Sequence, residues 1–139
     1  MNTLEVGNQL FAATETIDQQ RVQAYARAAK DDNAIHVDPE AARLVGLKAP
    51  VAHGMLTVGI ALGHVMTWLG DASDRFLRYE TRFIKPVFVP PATAVELAVK
   101  GVVGAVSDSE VRIDVKVELV ASGTTVLRPF RVCLLYTSD

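Results

Sequence analysis

Residues 54–70 read Gly54-Met55-Leu56-Thr57-Val58-Gly59-Ile60-Ala61-Leu62-Gly63-His64-Val65-Met66-Thr67-Trp68-Leu69-Gly70. On a helix of 3.6 residues per turn, Met55, Leu56, Val58, Ile60, Leu62, Val65, Met66 and Leu69 cover most of the circumference, and Gly70 stands just past the end, where a left-handed cap is wanted. A helix that is apolar almost all round is a buried helix. Gly59 and Gly63, four apart, leave one face without side chains, so a sheet or a ligand can come close to the backbone there. The apolar segment from His53 to Leu69 carries two histidines and falls short of the ~20 residues that a membrane span needs.

Downstream of this helix the periodicity changes from 3.6 to 2. Val111, Ile113, Val115, Val117 and Leu119 alternate with Arg112, Asp114, Lys116 and Glu118, the pattern of a strand with one face on a core and one in water. Val95, Leu97 and Val99 repeat it, with Gly101 to Ser109 read as the turn between the two. Arg75 to Val89 is a long β-rich segment interrupted at Pro86 and closed by Pro90-Pro91, which places its end at an edge or a bulge. Upstream, the first half reads helical. Val22, Tyr25, Ala26 and Ala29 keep helical spacing over residues 17–29, behind Thr16 or Asp18 as N-cap, and Asp38-Pro39-Glu40 starts a short helix that ends by Gly46. Helices followed by consecutive antiparallel strands make an α+β chain, in which a curled sheet wraps one long buried central helix. That is the outline of a hotdog fold.

Half of the 139 residues are apolar, enough for one core and too few for two, so residues 1–139 read as a single domain. The formal net charge is −2 and no Lys/Arg run is present, which argues against nucleic acid as a partner. The N-terminus lacks the basic start and apolar run of a signal peptide, so a cytoplasmic protein is expected. Cys133 is the single cysteine and has no internal disulfide partner. It opens the tail Cys133-Leu134-Leu135-Tyr136-Thr137-Ser138, which reads as the one-frame translation of the end of a transposase adapter used for sequencing libraries. On that reading the native chain stops near Val132 and residues 133–138 are not native. The alternative is an ordinary C-terminal strand, which the same residues also make.

The polar groups concentrate between the two predicted N-terminal helices, in Lys30-Asp31-Asp32-Asn33-Ala34-Ile35-His36-Val37-Asp38. A carboxylate and an imidazole converging on one water polarise it and move its proton, the task in hydrating a conjugated double bond. The spacing of Asp31 and His36 by itself also fits a turn with a surface histidine. The segment resembles the MaoC-like family of (R)-specific enoyl-thioester hydratases and 3-hydroxyacyl dehydratases. Tyr25, Asp31, Asn33, Ile35, His36, Asp38 and Ala41 match that family's first signature. Ala52-His53-Gly54-Met55 matches its second, at the family's separation. Three positions depart from the pattern. Ala29 replaces Ser/Thr, Lys30 replaces Gly and Ala34 replaces Pro, and a lysine where the glycine takes a positive φ would strain or shift the loop that carries Asp31.

The resemblance implies that Asp31 and His36 bind the attacking water, that Asn33 orients the loop or the water, and that the backbone N–H of Gly54 holds the thioester carbonyl as charge develops on its oxygen. His53 is expected to be structural, at the helix start, and His64 to belong to the core or an interface. Leu62 stands where some hydratases of the family carry serine and is expected to make the pocket more apolar. The implied substrate is an acyl-CoA or acyl-ACP thioester, with no metal and no other cofactor. The expected assembly is a homodimer, or a heterodimer of the kind formed by (3R)-hydroxyacyl-ACP dehydratases, which residues 53–59 and 67–71 also resemble. A non-catalytic acyl-binding subunit is the alternative. A hotdog thioesterase ranks lower, because such enzymes place an acid on the central helix and residues 54–70 have none.

Overall fold

The computed structural model describes residues 3–137, so Met1 and Asn2 of the N-terminal reading and Ser138 of the tail lie outside the described residues. Five strands, β1 (Gln9–Ile17), β2 (Phe76–Phe83), β3 (Val95–Val106), β4 (Glu110–Leu119) and β5 (Thr125–Leu135), form one antiparallel sheet in the order β1-β3-β4-β5-β2. Its concave face wraps α3 (Gly54–Leu69), which gives the expected α+β hotdog architecture. The alternation read from the sequence sets the register. Val99 lies opposite Val117, Val103 opposite Ile113, and Ile113 opposite Val132, so the buried side chains of three strands stack on Val58, Ala61 and Val65 of the helix. Each large aliphatic buried in this way contributes about 1.5–3 kcal/mol.

Strand β1 departs from the helical reading of the first half. It pairs with β3 from Gln9↔Val102 to Ile17↔Val95. Phe11, Ala13, Glu15 and Ile17 occupy its better-buried face, and the glutamate there breaks the apolar alternation that would reveal a strand. His64 of α3 reaches that glutamate, with Nε2 at 3.2 Å from Oε2, so His64 is a half-buried polar contact between helix and sheet. Gly101 also differs from its expected place in a turn. β3 continues through it to Val106, and a Cβ at Gly101 would lie 2.4 Å from the Phe11 ring, so the glycine makes room for the aromatic ring of the neighbouring strand.

Two further expectations change. The segment from Arg75 stays a strand only to Phe83; beyond Pro86 the chain keeps isolated contacts, with Ala52 N–H donating to the Val87 carbonyl and Val89 N–H to the Pro50 carbonyl, both at 2.8 Å. α3 is buried on the sheet side but not all round: Met55, Gly59, Gly63, Met66 and Thr67 are exposed, and no atom lies within 4 Å of a Cβ built on Gly59 or Gly63. The bare face therefore points outward, away from the sheet.

Asp18 caps α1 (Gln19–Ala29) by accepting from Arg21 N–H, and Asp38 caps α2 (Pro39–Leu44) by accepting from Glu40 N–H, with Pro39 in the first turn. At the other end of the chain, residues 133–135 complete β5, Leu134 is buried, and the buried Tyr136 hydroxyl accepts from Leu4 N–H at 3.0 Å.

Candidate active site

The site is built on the turn that ends α1. Lys30 adopts φ 56° and ψ 36°, the left-handed conformation, which lets Asp31 N–H turn back onto the Ala26 carbonyl at 3.0 Å. The lysine itself takes the positive φ expected of a glycine in this place, and Asp31 and His36 line the same cavity. The left-handed conformation costs a side-chain-bearing residue about 1–2 kcal/mol, part of which glycine would give back as unfolded-state entropy. Lys30→Gly should therefore stabilise the fold by about 1 kcal/mol, read as a melting temperature higher by a few degrees. A lower melting temperature would show that the lysine side chain contributes more than its backbone strain takes away.

After Asp31 the chain makes a 3-10 turn over Ala34–His36, capped by Asn33 Oδ1, which accepts from Ile35 N–H at 3.1 Å. Asn33 thus shapes the loop that presents His36 and does not itself line the cavity. The loop is anchored from α1 by Gln19, whose Nε2 donates to the carbonyls of His36 (2.9 Å) and Val89 (2.8 Å). His36 Nδ1 lies 2.7 Å from the Val51 carbonyl oxygen. A carbonyl only accepts, so Nδ1 carries the proton and Nε2 of the neutral ring keeps its lone pair.

His53 occupies the N-cap position of α3 but makes no side-chain cap bond. Only 4% exposed, it stacks on His36 with ring centroids 3.6 Å apart and planes inclined by 19°, and Tyr25 tilts over it at 4.8 Å. Its Nε2 lies 3.4 Å from the Asp31 carbonyl oxygen and 3.9 Å from Asp31 Oδ2. Burial, and then the adjacent His36, push the His53 imidazole below its ordinary pKa, against smaller upward contributions from Asp31. The helix itself begins at Gly54, whose N–H stands ahead of the first carbonyl that the helix offers, that of His53, which accepts from Leu56 and Thr57 N–H. Phe83, at the end of β2, covers this residue: a Cβ on Gly54 would lie 2.5 Å from the phenyl Cε1.

These groups border a cavity of about 550 Å³ whose walls are mainly apolar, contributed by Val51, Ala52, Val87, Val126 and Leu127 among others. Leu62, expected in its wall, instead packs against the core. Asp31, His36 and His53 bring possible ligand atoms within 4.8 Å of one another, a spacing that raises the question of a metal. The ring stack answers it. Two stacked rings with centroids 3.6 Å apart and planes inclined by 19° have planes that meet only roughly 10 Å away, whereas zinc lies in the imidazole plane about 2 Å from its nitrogen. The two imidazoles thus do not converge on one ion.

Sequence reasoning named Asp31, His36, His53 and Gly54, and the structure brings all four to one cavity. It missed Val51, Phe83 and Gln19. Val51 acts through its carbonyl, which no side-chain pattern reveals. Phe83 and Gln19 arrive from distant elements.

Comparisons with known proteins bear on the family and the fold. The family model described as "MaoC like domain" matches residues 4–121. Among curated proteins, the chain is 36% identical over 87 residues to a 3-hydroxyacyl-thioester dehydratase X of Mycobacterium tuberculosis, covering 63% of this chain and 30% of that protein. It is 30% identical over 97 residues to an (R)-specific enoyl-CoA hydratase of Aeromonas caviae, covering 70% of this chain and 72% of that protein. A solved structure described as a MaoC-like dehydratase superposes with a TM-score of 0.87 at 27% identity, over 98% of this chain and 41% of the other. The chain thus spans less than a third of the length of the mycobacterial relative.

Proposed function

The chain belongs to the MaoC-like domain family, and from that premise we propose that it hydrates trans-2-enoyl thioesters, or dehydrates (R)-3-hydroxyacyl thioesters, carried on CoA or on an acyl carrier protein. The observation that carries the reading is the commitment of His36 Nδ1 to the Val51 carbonyl at 2.7 Å, which leaves Nε2 with its lone pair in a ring that lines the same cavity as Asp31. A water held between these two groups loses a proton to one of them as its oxygen attacks Cβ, and the pair returns a proton to Cα. The thioester oxygen gains negative charge as the enolate forms, and the free N–H at Gly54, at the positive end of a 16-residue helix, offers it a donor. The reaction adds one water and changes no oxidation balance between molecules, so the proposal includes no redox cofactor and no metal.

A second hotdog unit belongs to this reading. β2 is an edge strand with Leu77, Tyr79 and Phe83 exposed, and the outward face of α3 exposes Met55 and Met66 beside two glycines, an apolar surface that a second copy would cover.

The activity is tested with crotonyl-CoA. The expected result is loss of the enoyl absorbance without release of thiol. Thiol release would indicate a thioesterase, and silence across chain lengths a binding subunit.

A further inference from the structure

His53 is the one buried titratable group at the cavity to which the proposed chemistry gives no task. We infer that His53 is a positioning residue that holds both Asp31 and His36, its Nε2–H on the Asp31 carbonyl and its ring face against the His36 imidazole. The inference rests on the hydration reading of the site. Both main-chain polar groups of Asp31 are then fixed, the N–H on the Ala26 carbonyl at 3.0 Å and the C=O on His53 at 3.4 Å. This matters because Lys30, directly before Asp31, sits in a strained left-handed turn that would otherwise relax by moving the carboxylate.

His36 has a complementary weakness. The bond from Nδ1 to the Val51 carbonyl fixes one point of the ring and leaves it free to pivot about that point. A second ring at 3.6 Å, nearly parallel, removes the pivot from one side. His53 can do this because it is itself held at the start of α3, 4% exposed and covered by Tyr25 at 4.8 Å. The tautomer follows. Nε2 faces a carbonyl oxygen and, at 3.9 Å, a carboxylate oxygen, both acceptors, so Nε2 carries the proton; Nδ1, which has no partner among the described residues, carries the lone pair. The lowered basicity of the buried ring keeps it in this neutral form near neutral pH.

The wild-type protein tests the geometry without any variant. Long-range proton–nitrogen correlation spectra of the histidine rings should show His53 protonated at Nε2 and His36 at Nδ1. A His53 proton on Nδ1 overturns the inference. Kinetics test the consequence. His53→Gln keeps a donor and loses the ring face, while His53→Phe keeps the ring face and loses the donor. Each should lower kcat for crotonyl-CoA by about 10- to 100-fold with KM within about threefold, because the reacting groups are misplaced while the binding walls remain. In the Asp31→Asn background, His53→Gln should cost less than about threefold, since a residue that acts through Asp31 loses its effect with the carboxylate gone. Turnover of His53→Gln within about twofold of wild type, or the same loss in both backgrounds, overturns the inference. Melting curves identify a variant that has unfolded, and the ring spectra of the wild type then decide alone. A wild type that never hydrates the substrate contradicts the hydratase reading, and the histidine tautomers then decide the placement of His53 by themselves.

Discussion

Asp31→Asn should lower the hydration rate by about 100- to 10,000-fold, the range that a positioned acid–base group supplies, and leave the melting curve nearly unchanged. The side chain is 50% exposed and, among the described residues, its carboxylate meets Asn33 N–H at 3.4 Å and His53 Nε2 at 3.9 Å, both long, so an amide of the same shape removes charge and basicity without opening the core. His36→Ala should lose a comparable factor in rate. It also forfeits the bond to the Val51 carbonyl, worth about 1 kcal/mol, so a slightly lower melting temperature accompanies the loss. The double variant should be little worse than either single one, because the two groups act on one water. Near-normal turnover in either single variant contradicts the assignment, and so does a double loss equal to the product of the two.

Gly54→Ala carries the second large effect, and its cause is steric. The new methyl group would lie 2.5 Å from Phe83 Cε1 and 2.8 Å from Cδ1, separations that real side chains do not hold, so either the phenyl ring or the first turn of α3 must move. Movement of the turn displaces the N–H proposed to meet the thioester oxygen, movement of the ring rearranges the cavity wall that Phe83 forms beside it, and a misplaced oxyanion donor lowers kcat/KM by about 100-fold or more. The backbone N–H survives the substitution. Phe83→Ala removes the ring that the new methyl group meets, so Gly54→Ala with Phe83→Ala, measured against Phe83→Ala alone, should recover at least about tenfold of the loss. Full activity in Gly54→Ala alone would show that the helix start has slack that the Phe83 contact conceals.

The legible parts of the sequence are those where one physical rule acts alone. β4 is readable because Val111 to Leu119 alternates without exception, and α2 because a capping aspartate, a proline and an acid arrive in order. β1 is hidden because its inner face holds Glu15, which belongs there only once His64 is known to face it across the core. Gly101 looks like a turn because the ring of Phe11, which it accommodates, lies 90 residues away in the chain and one strand away in space. α3 looks buried on every side because hydropathy does not record which face a single chain leaves uncovered.

The site divides along the same line. Asp31, His36, His53 and Gly54 stand out through the two signatures they share with a family, not through their spacing. What arranges them is main chain and distance: the Val51 carbonyl, the ring of Phe83 and the amide of Gln19. None of these leaves a pattern along the chain, because each contact joins residues whose neighbours in sequence are unrelated.

The most direct test of the central claim is the fate of the oxygen. The protein is incubated with crotonyl-CoA in water enriched in the heavy oxygen isotope, and the products are separated and fragmented in a mass spectrometer. Hydration by the proposed site places one heavy oxygen at C3 of an intact hydroxyacyl thioester. Label in a free carboxylate, with CoA released, or no label in any product, would contradict it.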